Sequence, residues 1–175
     1  SLLNSKYKKE FEGLLTDSSS WLYNLLQIFH DDKINTCVLD CDKTLNMEHT
    51  SGSTARQEGK ESGDWIGTFD NKLSSDAILL FKACHELGIN LAIASFADEA
   101  MALNNDNFIA GEEMIREILI RSGKFDEEIL FNIFVVGLYP KMHPEMEIKT
   151  NKDYHMKAIS EHFKVDEKNM ILFDD

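Results

Sequence analysis

Apolar residues occur along the chain in two patterns, which predict two kinds of element. Short apolar runs bounded by polar residues are typical of buried strands, whereas apolar residues that recur every three or four positions indicate helices with one buried face. The first pattern predicts strands at 36–39, 89–94, 134–136 (within an apolar run over 129–136) and 170–173. The second predicts helices over 2–15, 18–30, 74–87, 107–121 and 151–163. Because strands alternate with helices, we expect an α/β fold with a mostly parallel central sheet.

One long segment interrupts this alternation. Residues 46–72 are rich in Gly, Ser, Thr, Glu and Lys, and their grouped apolar residues are Trp65, Ile66 and Phe69. A segment of this length without periodicity is either functional or mobile. Because it leaves from the end of the first predicted strand, we interpret it as a flap over a site there. The expected organisation is therefore 1–33, a pair of helices packed on the core, and 34–175, a core that carries the flap.

Composition limits the partners and the compartment. The 175 residues include 31 acidic and 18 basic side chains, and the net charge of −13 argues against nonspecific binding to nucleic acid or to anionic membranes. No apolar stretch reaches the roughly 18–20 residues of a membrane-spanning helix, so we expect no stable membrane insertion. The cysteines Cys37, Cys41 and Cys84 lack metal-ligand spacing, and free thiols predict a reducing, cytoplasmic compartment.

Two carboxylates, Asp40 and Asp42, directly follow the first predicted strand. In open α/β sheets ligands bind beyond the carboxyl ends of the strands. Two acidic side chains so close together raise each other's cost of ionisation unless a cation lies between them, and Mg²⁺ is a hard ion that takes carboxylate oxygens, often together with phosphate. Cys41 has no obvious histidine partner, so we interpret it as a spacer. The pattern alone predicts either a Mg²⁺ site or a polar turn after a strand.

Polar residues also mark the ends of other predicted elements. Ser95 ends the second strand, where its hydroxyl and the following N–H groups can bind an anion ahead of a helix expected from about residue 98. Lys152 lies at the start of the last predicted helix, where the macrodipole disfavours a cation, so we expect another group to hold it. Asp174 and Asp175 follow the last strand. Parallel strands would bring all these side chains to one edge.

In chain order these residues resemble the four motifs of the haloacid dehalogenase (HAD) superfamily of phosphohydrolases. The first motif matches VLDCDKTL at 38–45, the second ends at Ser95, the third is Lys152 and the fourth matches LFDD at 172–175. Within the superfamily the chain is most similar to small magnesium-dependent phosphatases with a minimal cap. A more distant resemblance is to HAD-like tyrosine phosphatases that intracellular bacteria deliver into host cells as effectors. The resemblance implies a Rossmann-like three-layer sandwich whose cap is only the flap.

The resemblance also implies a role for each candidate residue. Asp40 would be the nucleophile that forms an aspartyl-phosphate, and Asp42 would be the general acid and then the general base. Ser95 and Lys152 would bind the phosphate oxygens. Thr44 would support the loop and the phosphate site through a hydrogen bond to backbone.

The implied cofactor is Mg²⁺, bound by Asp40, the backbone carbonyl of Asp42 and Asp174, with Asp175 as a further ligand or as the residue that orients them. The sequence departs from the family at two points. Phe96 stands where these phosphatases tend to have arginine after the serine, which affects a substrate contact. The family also continues into further helix and strand after the fourth motif, so we expect the natural protein to be longer.

The implied function is hydrolysis of phosphomonoesters, with phosphotyrosine in a protein as the leading substrate. The aromatic residues Trp65, Phe69 and Phe96 are candidates to stack on such a leaving group, and His143 is a candidate to border the site. A small-metabolite phosphatase or a phosphotransferase would use the same residues, and a catalytically silent binding module of this fold also stays open. A phosphoacceptor receiver domain is disfavoured, because here the second acidic pair, Asp174 and Asp175, ends the last strand.

Overall fold

The computed structural model describes residues 20–59, 61 and 63–174. The predicted helix over 2–15, the first residues of the next helix and Asp175 lie outside these residues. The helices are α1 (Trp21–Asp31), α2 (Ser75–Glu86), α3 (Gly111–Ser122), α4 (Glu127–Asn132) and α5 (Asp153–Phe163). The strands are β1 (Thr36–Leu39), β2 (Ser53–Ala55), β3 (Asn90–Ser95), β4 (Phe108–Ala110), β5 (Ile133–Gly137) and β6 (Met170–Phe173).

Four strands form a parallel central sheet in the order β5-β3-β1-β6, so the predicted α/β class with a mostly parallel sheet is confirmed. The register is level across the middle of the sheet, where Leu39 at the end of β1 pairs with Ile93 of β3 and with Phe173 of β6. The carboxyl ends of these three strands therefore meet at one edge. That edge is where the candidate residues were expected to converge.

Helices cover both faces of this sheet, which gives three layers compatible with a Rossmann-like fold. Successive residues of a strand point to opposite faces. In β1, Cys37 and Leu39 belong to the larger core, which includes residues of α1, α2 and α3, whereas Val38 lies in a smaller core with Ile159 of α5. Since β1 is buried on both sides, it is a continuous apolar run rather than an alternating one.

Local signals place α2 almost where the sequence predicts it. The hydroxyl of Ser74 accepts a hydrogen bond from the Ala77 N–H at 3.3 Å, which caps the first turn. The helix ends before Gly88, whose φ of +74° is a conformation that glycine adopts readily. Because caps and periodicity are properties of neighbouring residues, such elements are predictable from sequence.

Three boundaries differ from the prediction. The helix predicted over 107–121 begins only at Gly111, because residues 108–110 form β4 and pair antiparallel with β2. The helix expected from about residue 98 is a 3₁₀ turn, Glu99–Ala102. The apolar run 129–136 is divided between α4 and β5. In each case a tertiary contact or a tight turn overrides the apolar pattern.

The segment 46–72, which was expected to be an irregular flap, contains ordered elements within its described residues. It holds β2 and a 3₁₀ turn, Ile66–Phe69, and both apolar ends of that turn are buried in the larger core. Residue Ala55 of β2 also forms a bridge with Trp65. The segment is therefore anchored to the body of the protein at two places.

Two further findings bear on compartment and membrane contact. All three cysteines are free and buried. Among the described helices, none combines the length and the hydropathy needed to cross a bilayer.

Candidate active site

The carboxyl edge of the central sheet opens into a pocket of about 570 Å³. Its lining includes the residues that follow β1, β3 and β6, together with residues of the flap and of the loop after β5. The lining residues are Asp40, Asp42, Lys43, His49, Ser51, Gly52, Ser95, Phe96, Ala97, Met101, Tyr139 and Asp174. The topology thus brings together carboxylates from distant parts of the chain.

Lys152 is buried behind this pocket, where it is paired with Asp40. Its Nζ donates hydrogen bonds to Asp40 Oδ1 at 2.8 Å and to the carbonyl oxygen of Ala94 at 2.7 Å. The ammonium also lies 4.5 Å from the centroid of the Phe96 ring, an arrangement that favours a cation–π interaction. These contacts explain how a lysine is held at the start of α5, where the helix dipole opposes it.

Three effects act on the carboxyl group of Asp40. Burial raises its pKa, the hydrogen bond and the charge of Lys152 lower it, and the charge of Asp174 raises it, so that the pKa lies above its ordinary value. A raised pKa means that ionisation of Asp40 is less favourable here than in water, unless a further cation is nearby.

Cys41, between the two aspartates, is buried, and burial raises the pKa of its thiol well above its usual range, so this residue does not supply a thiolate nucleophile.

Ser95 lies at the end of β3 with its hydroxyl free to donate. Its Oγ accepts a hydrogen bond from the Ala97 N–H at 3.0 Å, and its backbone carbonyl accepts from the Leu138 N–H at 2.9 Å. Because the hydroxyl accepts from backbone, its proton can be directed to an anion in the pocket. The anion site that the sequence predicts at this strand end stays a prediction, since the Ala97 N–H is directed to Ser95 Oγ.

Asp42 lies opposite, where the flap contacts it. The hydroxyl of Thr50 is 3.0 Å from Oδ1 and 3.1 Å from Oδ2, and His49 Nδ1 is 3.2 Å from Oδ2. The turn that connects Asp42 to the flap includes Lys43, whose φ of +64° is unusual for a residue other than glycine. The second carboxylate is thus oriented by residues outside its own motif.

Carboxylate oxygens, which a hard divalent cation takes as ligands, lie at this edge. Asp40 and Asp174 are close enough to interact electrostatically, and Asp42 lines the same pocket. No group of three or more His, Cys, Asp or Glu side chains arranged to hold a metal occurs among the described residues. The expected shell uses only two described carboxylates, and Asp175, the third, lies outside the described part of the chain.

The other sequence-predicted residues lie at varied distances from the pocket. Thr44 lies in the turn after Asp42, where its N–H donates to the Cys41 carbonyl at 3.4 Å, and it does not line the pocket. Phe96 lines the pocket, whereas Phe69 is buried in the larger core. Trp65 lies under the guanidinium group of Arg121, 5.4 Å from the ring centroid, rather than at the pocket.

Asp98, which is not among the sequence-predicted site residues, connects two loops of the site. Its buried carboxylate accepts hydrogen bonds from the Tyr139 N–H at 2.9 Å and from the Ala100 N–H at 3.0 Å, and Oδ2 lies 2.5 Å from His143 Nε2. His143 therefore holds the loop that carries Tyr139 to the pocket. It does not itself line that pocket, but lies at a second pocket of about 420 Å³.

His155 is a second residue at the site that is not among the sequence-predicted ones. Its Nε2 lies 2.8 Å from the carbonyl oxygen of Ser95, and its ring meets the ring of Phe96 edge-on at 5.3 Å. Burial lowers the pKa of His155 below its ordinary value, so the ring is neutral and Nε2–H donates to the carbonyl. The spacing of three residues after Lys152, which puts both on one helix face, was the available signal.

Comparison of the chain with family models, with curated proteins and with solved structures finds no match. The fold and the pocket define the class of protein. It is an α/β protein with an acidic pocket at the carboxyl edge of its parallel sheet and a buried lysine bound to one of the pocket's aspartates. The similarity to the HAD superfamily stays a prediction that rests on the four motifs.

Proposed function

We propose that the protein is a magnesium-dependent phosphomonoester hydrolase of the HAD type, acting through an aspartyl-phosphate intermediate. The observation that carries the proposal is the hydrogen bond from buried Lys152 to Asp40, which lines a pocket together with Asp42, Ser95 and Asp174. An anionic nucleophile next to a fixed cation suits attack on an anionic phosphate, because the cation offsets the repulsion between the two anions.

In the first half-reaction, a carboxylate oxygen of Asp40 attacks phosphorus, and the bond from phosphorus to the leaving oxygen breaks. Asp42, in its acid form, transfers its proton to that oxygen, so the alcohol leaves uncharged. Ser95 donates its hydroxyl proton to a phosphate oxygen while its own oxygen accepts from the Ala97 N–H. The ammonium of Lys152 balances charge at the nucleophile.

In the second half-reaction, Asp42 is a carboxylate and accepts a proton from water. The water oxygen attacks phosphorus, and the bond from phosphorus to Asp40 breaks, which releases inorganic phosphate and restores both carboxyl groups. The same residue acts as acid and then as base because the second step reverses the proton transfer of the first.

Mg²⁺ would be held by Asp40, Asp174 and the backbone carbonyl of Asp42, with Asp175 next in the chain. When bound, it supplies positive charge to the phosphate oxygens. The protein's own contribution is to hold these oxygen donors at one edge of a rigid sheet, so that little reorganisation accompanies the reaction.

For the substrate we propose phosphotyrosine in a protein. Phe96 and Tyr139 form an aromatic wall of the pocket, with ring centroids 5.8 Å apart in an edge-to-face arrangement. An aromatic wall favours an aryl leaving group over an alkyl one. Small phosphomonoesters, or transfer of the phosphoryl group to an alcohol, would use the same reacting residues and are the alternatives within this class.

The test is release of phosphate from a phosphotyrosine peptide, a phosphoserine peptide and p-nitrophenyl phosphate, with Mg²⁺ and with chelator. We expect metal-dependent release that Asp40→Asn lowers by at least about a thousandfold, because the nucleophile is lost. Asp31→Asn makes the same change at an exposed aspartate of α1 and is the matched control.

Three other outcomes would contradict the proposed function or part of it. Undiminished release by Asp40→Asn would remove that residue from its role as nucleophile. Absence of release by folded protein that binds Mg²⁺ would favour the silent binding module. Preference for small phosphomonoesters over both peptides would support a metabolite phosphatase.

A further inference from the structure

Thr50, a residue of the flap outside the four motifs, contacts the side chain proposed as acid and base. The residue is only 3% exposed, and its Oγ1 lies 3.0 Å and 3.1 Å from the two carboxylate oxygens of Asp42. A hydroxyl so close to both oxygens fixes the position of the carboxyl group. Nothing in the periodicity of residues 46–72 predicts this contact.

The hydrogen bonds around Thr50 direct its proton to Asp42. The Gly52 N–H donates to Thr50 Oγ1 at 3.2 Å, which occupies a lone pair of that oxygen. His49 Nδ1 is also near Asp42, but it accepts the Ser51 N–H at 3.0 Å, and a ring nitrogen that accepts a hydrogen bond cannot donate one. Thr50 is therefore the hydroxyl donor to this carboxylate.

The turn that presents Thr50 is set by the second sheet and by a glycine. Gly52 has φ of +90°, and a Cβ built there would meet the sulfur of Met101. Immediately afterwards Ser53 begins β2 and pairs with Ala110 of β4. The flap hydroxyl thus lies three residues before a paired strand.

We infer that Thr50 is a positioning residue for Asp42, which orients the carboxyl group for proton transfer to the leaving oxygen. When Asp42 is in its acid form, the Thr50 hydroxyl donates to the unprotonated oxygen and so favours the proton on the other oxygen. After transfer, the same hydroxyl donates to the carboxylate, so the group is already oriented to accept a proton from water. This inference rests on the proposed phosphatase function.

The test compares two aryl phosphates that differ in their need for a proton. Phenyl phosphate has a poor leaving group, whereas p-nitrophenolate leaves readily without protonation. We expect Thr50→Val to lower kcat/KM for phenyl phosphate by about tenfold to a hundredfold, and for p-nitrophenyl phosphate by less than about threefold. The constant kcat/KM covers steps only as far as departure of the alcohol, so slow hydrolysis of the intermediate does not affect the comparison.

The chain offers a matched control for this substitution. Thr54 lies in the same flap, in β2, is as buried as Thr50, and its hydroxyl has no hydrogen-bond partner among the described residues. Thr54→Val is expected to leave both constants unchanged. Thr50→Ser keeps the hydroxyl, so we expect it to have the wild-type ratio of kcat/KM for the two aryl phosphates. Thr50→Ala removes the hydroxyl and leaves a smaller side chain than Thr50→Val, and we expect it to have the same ratio as Thr50→Val.

The outcomes distinguish this inference from the proposed function. Equal losses on both substrates in Thr50→Val and Thr50→Ala, or a Thr50→Ser ratio like that of Thr50→Val, would overturn the positioning role while Asp40→Asn still abolished turnover. Undiminished turnover by Asp40→Asn would instead overturn the phosphatase mechanism itself.

Discussion

The ammonium of Lys152 donates a hydrogen bond to Asp40 at 2.8 Å, although the two residues are 112 positions apart in the chain. The contact joins the start of α5 to the end of β1, and the lysine is also bound to the carbonyl of Ala94 at the end of β3. A cation that is buried with its hydrogen-bond partners in place is preorganised, so it stabilises developing charge without rearrangement.

Substitution of Lys152 tests whether this charge contributes to turnover. We expect Lys152→Met, which keeps the length of the side chain and removes its charge, to lower kcat/KM for aryl phosphates by about a hundredfold to a thousandfold. Lys168→Met, at an exposed lysine, is the control in the same steady-state assay. A loss of less than about threefold would mean that the buried charge serves structure alone.

Mg²⁺ should stabilise the folded protein, because its proposed oxygen donors are assembled only in the native state. At a concentration of about 100 times Kd, one bound ion adds roughly 2.7 kcal/mol to the free energy of unfolding. We expect a rise in thermal midpoint with added MgCl₂ that is largely lost in Asp174→Asn and kept in Asp31→Asn. An equal rise in both variants would place the ion elsewhere.

The pair of His143 and Asp98 should make stability depend on pH. The hydrogen bond and charge of Asp98 raise the pKa of His143, so the folded state holds the imidazolium proton more tightly than the unfolded state. This stabilisation is complete below the ordinary histidine pKa, about 6.5, and is lost as pH rises through the raised value. For Asp98, burial raises the pKa, but hydrogen bonds from the Tyr139 and Ala100 N–H groups and from His143 outweigh it, so the pKa is lowered.

The stabilisation from Asp98 is therefore present above the ordinary aspartate pKa, about 3.9, and is lost as pH falls through the lowered value. Both contributions are complete between about pH 4 and pH 6.5. Urea unfolding should give a difference in free energy between wild type and His143→Gln that is largest in this window and smaller at alkaline pH. A difference that did not change with pH would contradict the pairing, and His30→Gln is the exposed control.

Truncation of Leu22 tests the packing of α1 on the core. The side chain is fully buried, whereas Ile28 of the same helix is 49% exposed. We expect Leu22→Ala to lower the free energy of unfolding by about 2–5 kcal/mol, because it removes buried contacts and leaves a cavity. Ile28→Ala should cost less than about 1 kcal/mol in the same urea titration. Similar small losses in both variants would show that this helix contributes little to the core.

Within the site, the sequence predicted those residues that lie at the ends of predicted strands. Asp40, Ser95 and Asp174 each follow a strand that its apolar pattern predicts, and parallel strands must bring such ends to one edge. The position of Lys152 at a helix start, against the dipole, also indicated that a distant group holds it.

The sequence by itself determined the α/β class, most of the strands and helices, and the set of candidate acids, because periodicity, caps and strand ends are local properties. Only the tertiary structure decided that residues 108–110 form a strand and that Thr50 reaches Asp42. The first depends on pairing between β2 and β4, whose partners are more than 50 positions apart, and Thr50 lies three residues before β2. Such pairing leaves little trace in either segment, because hydrogen bonds between backbones do not depend on the identity of the side chains.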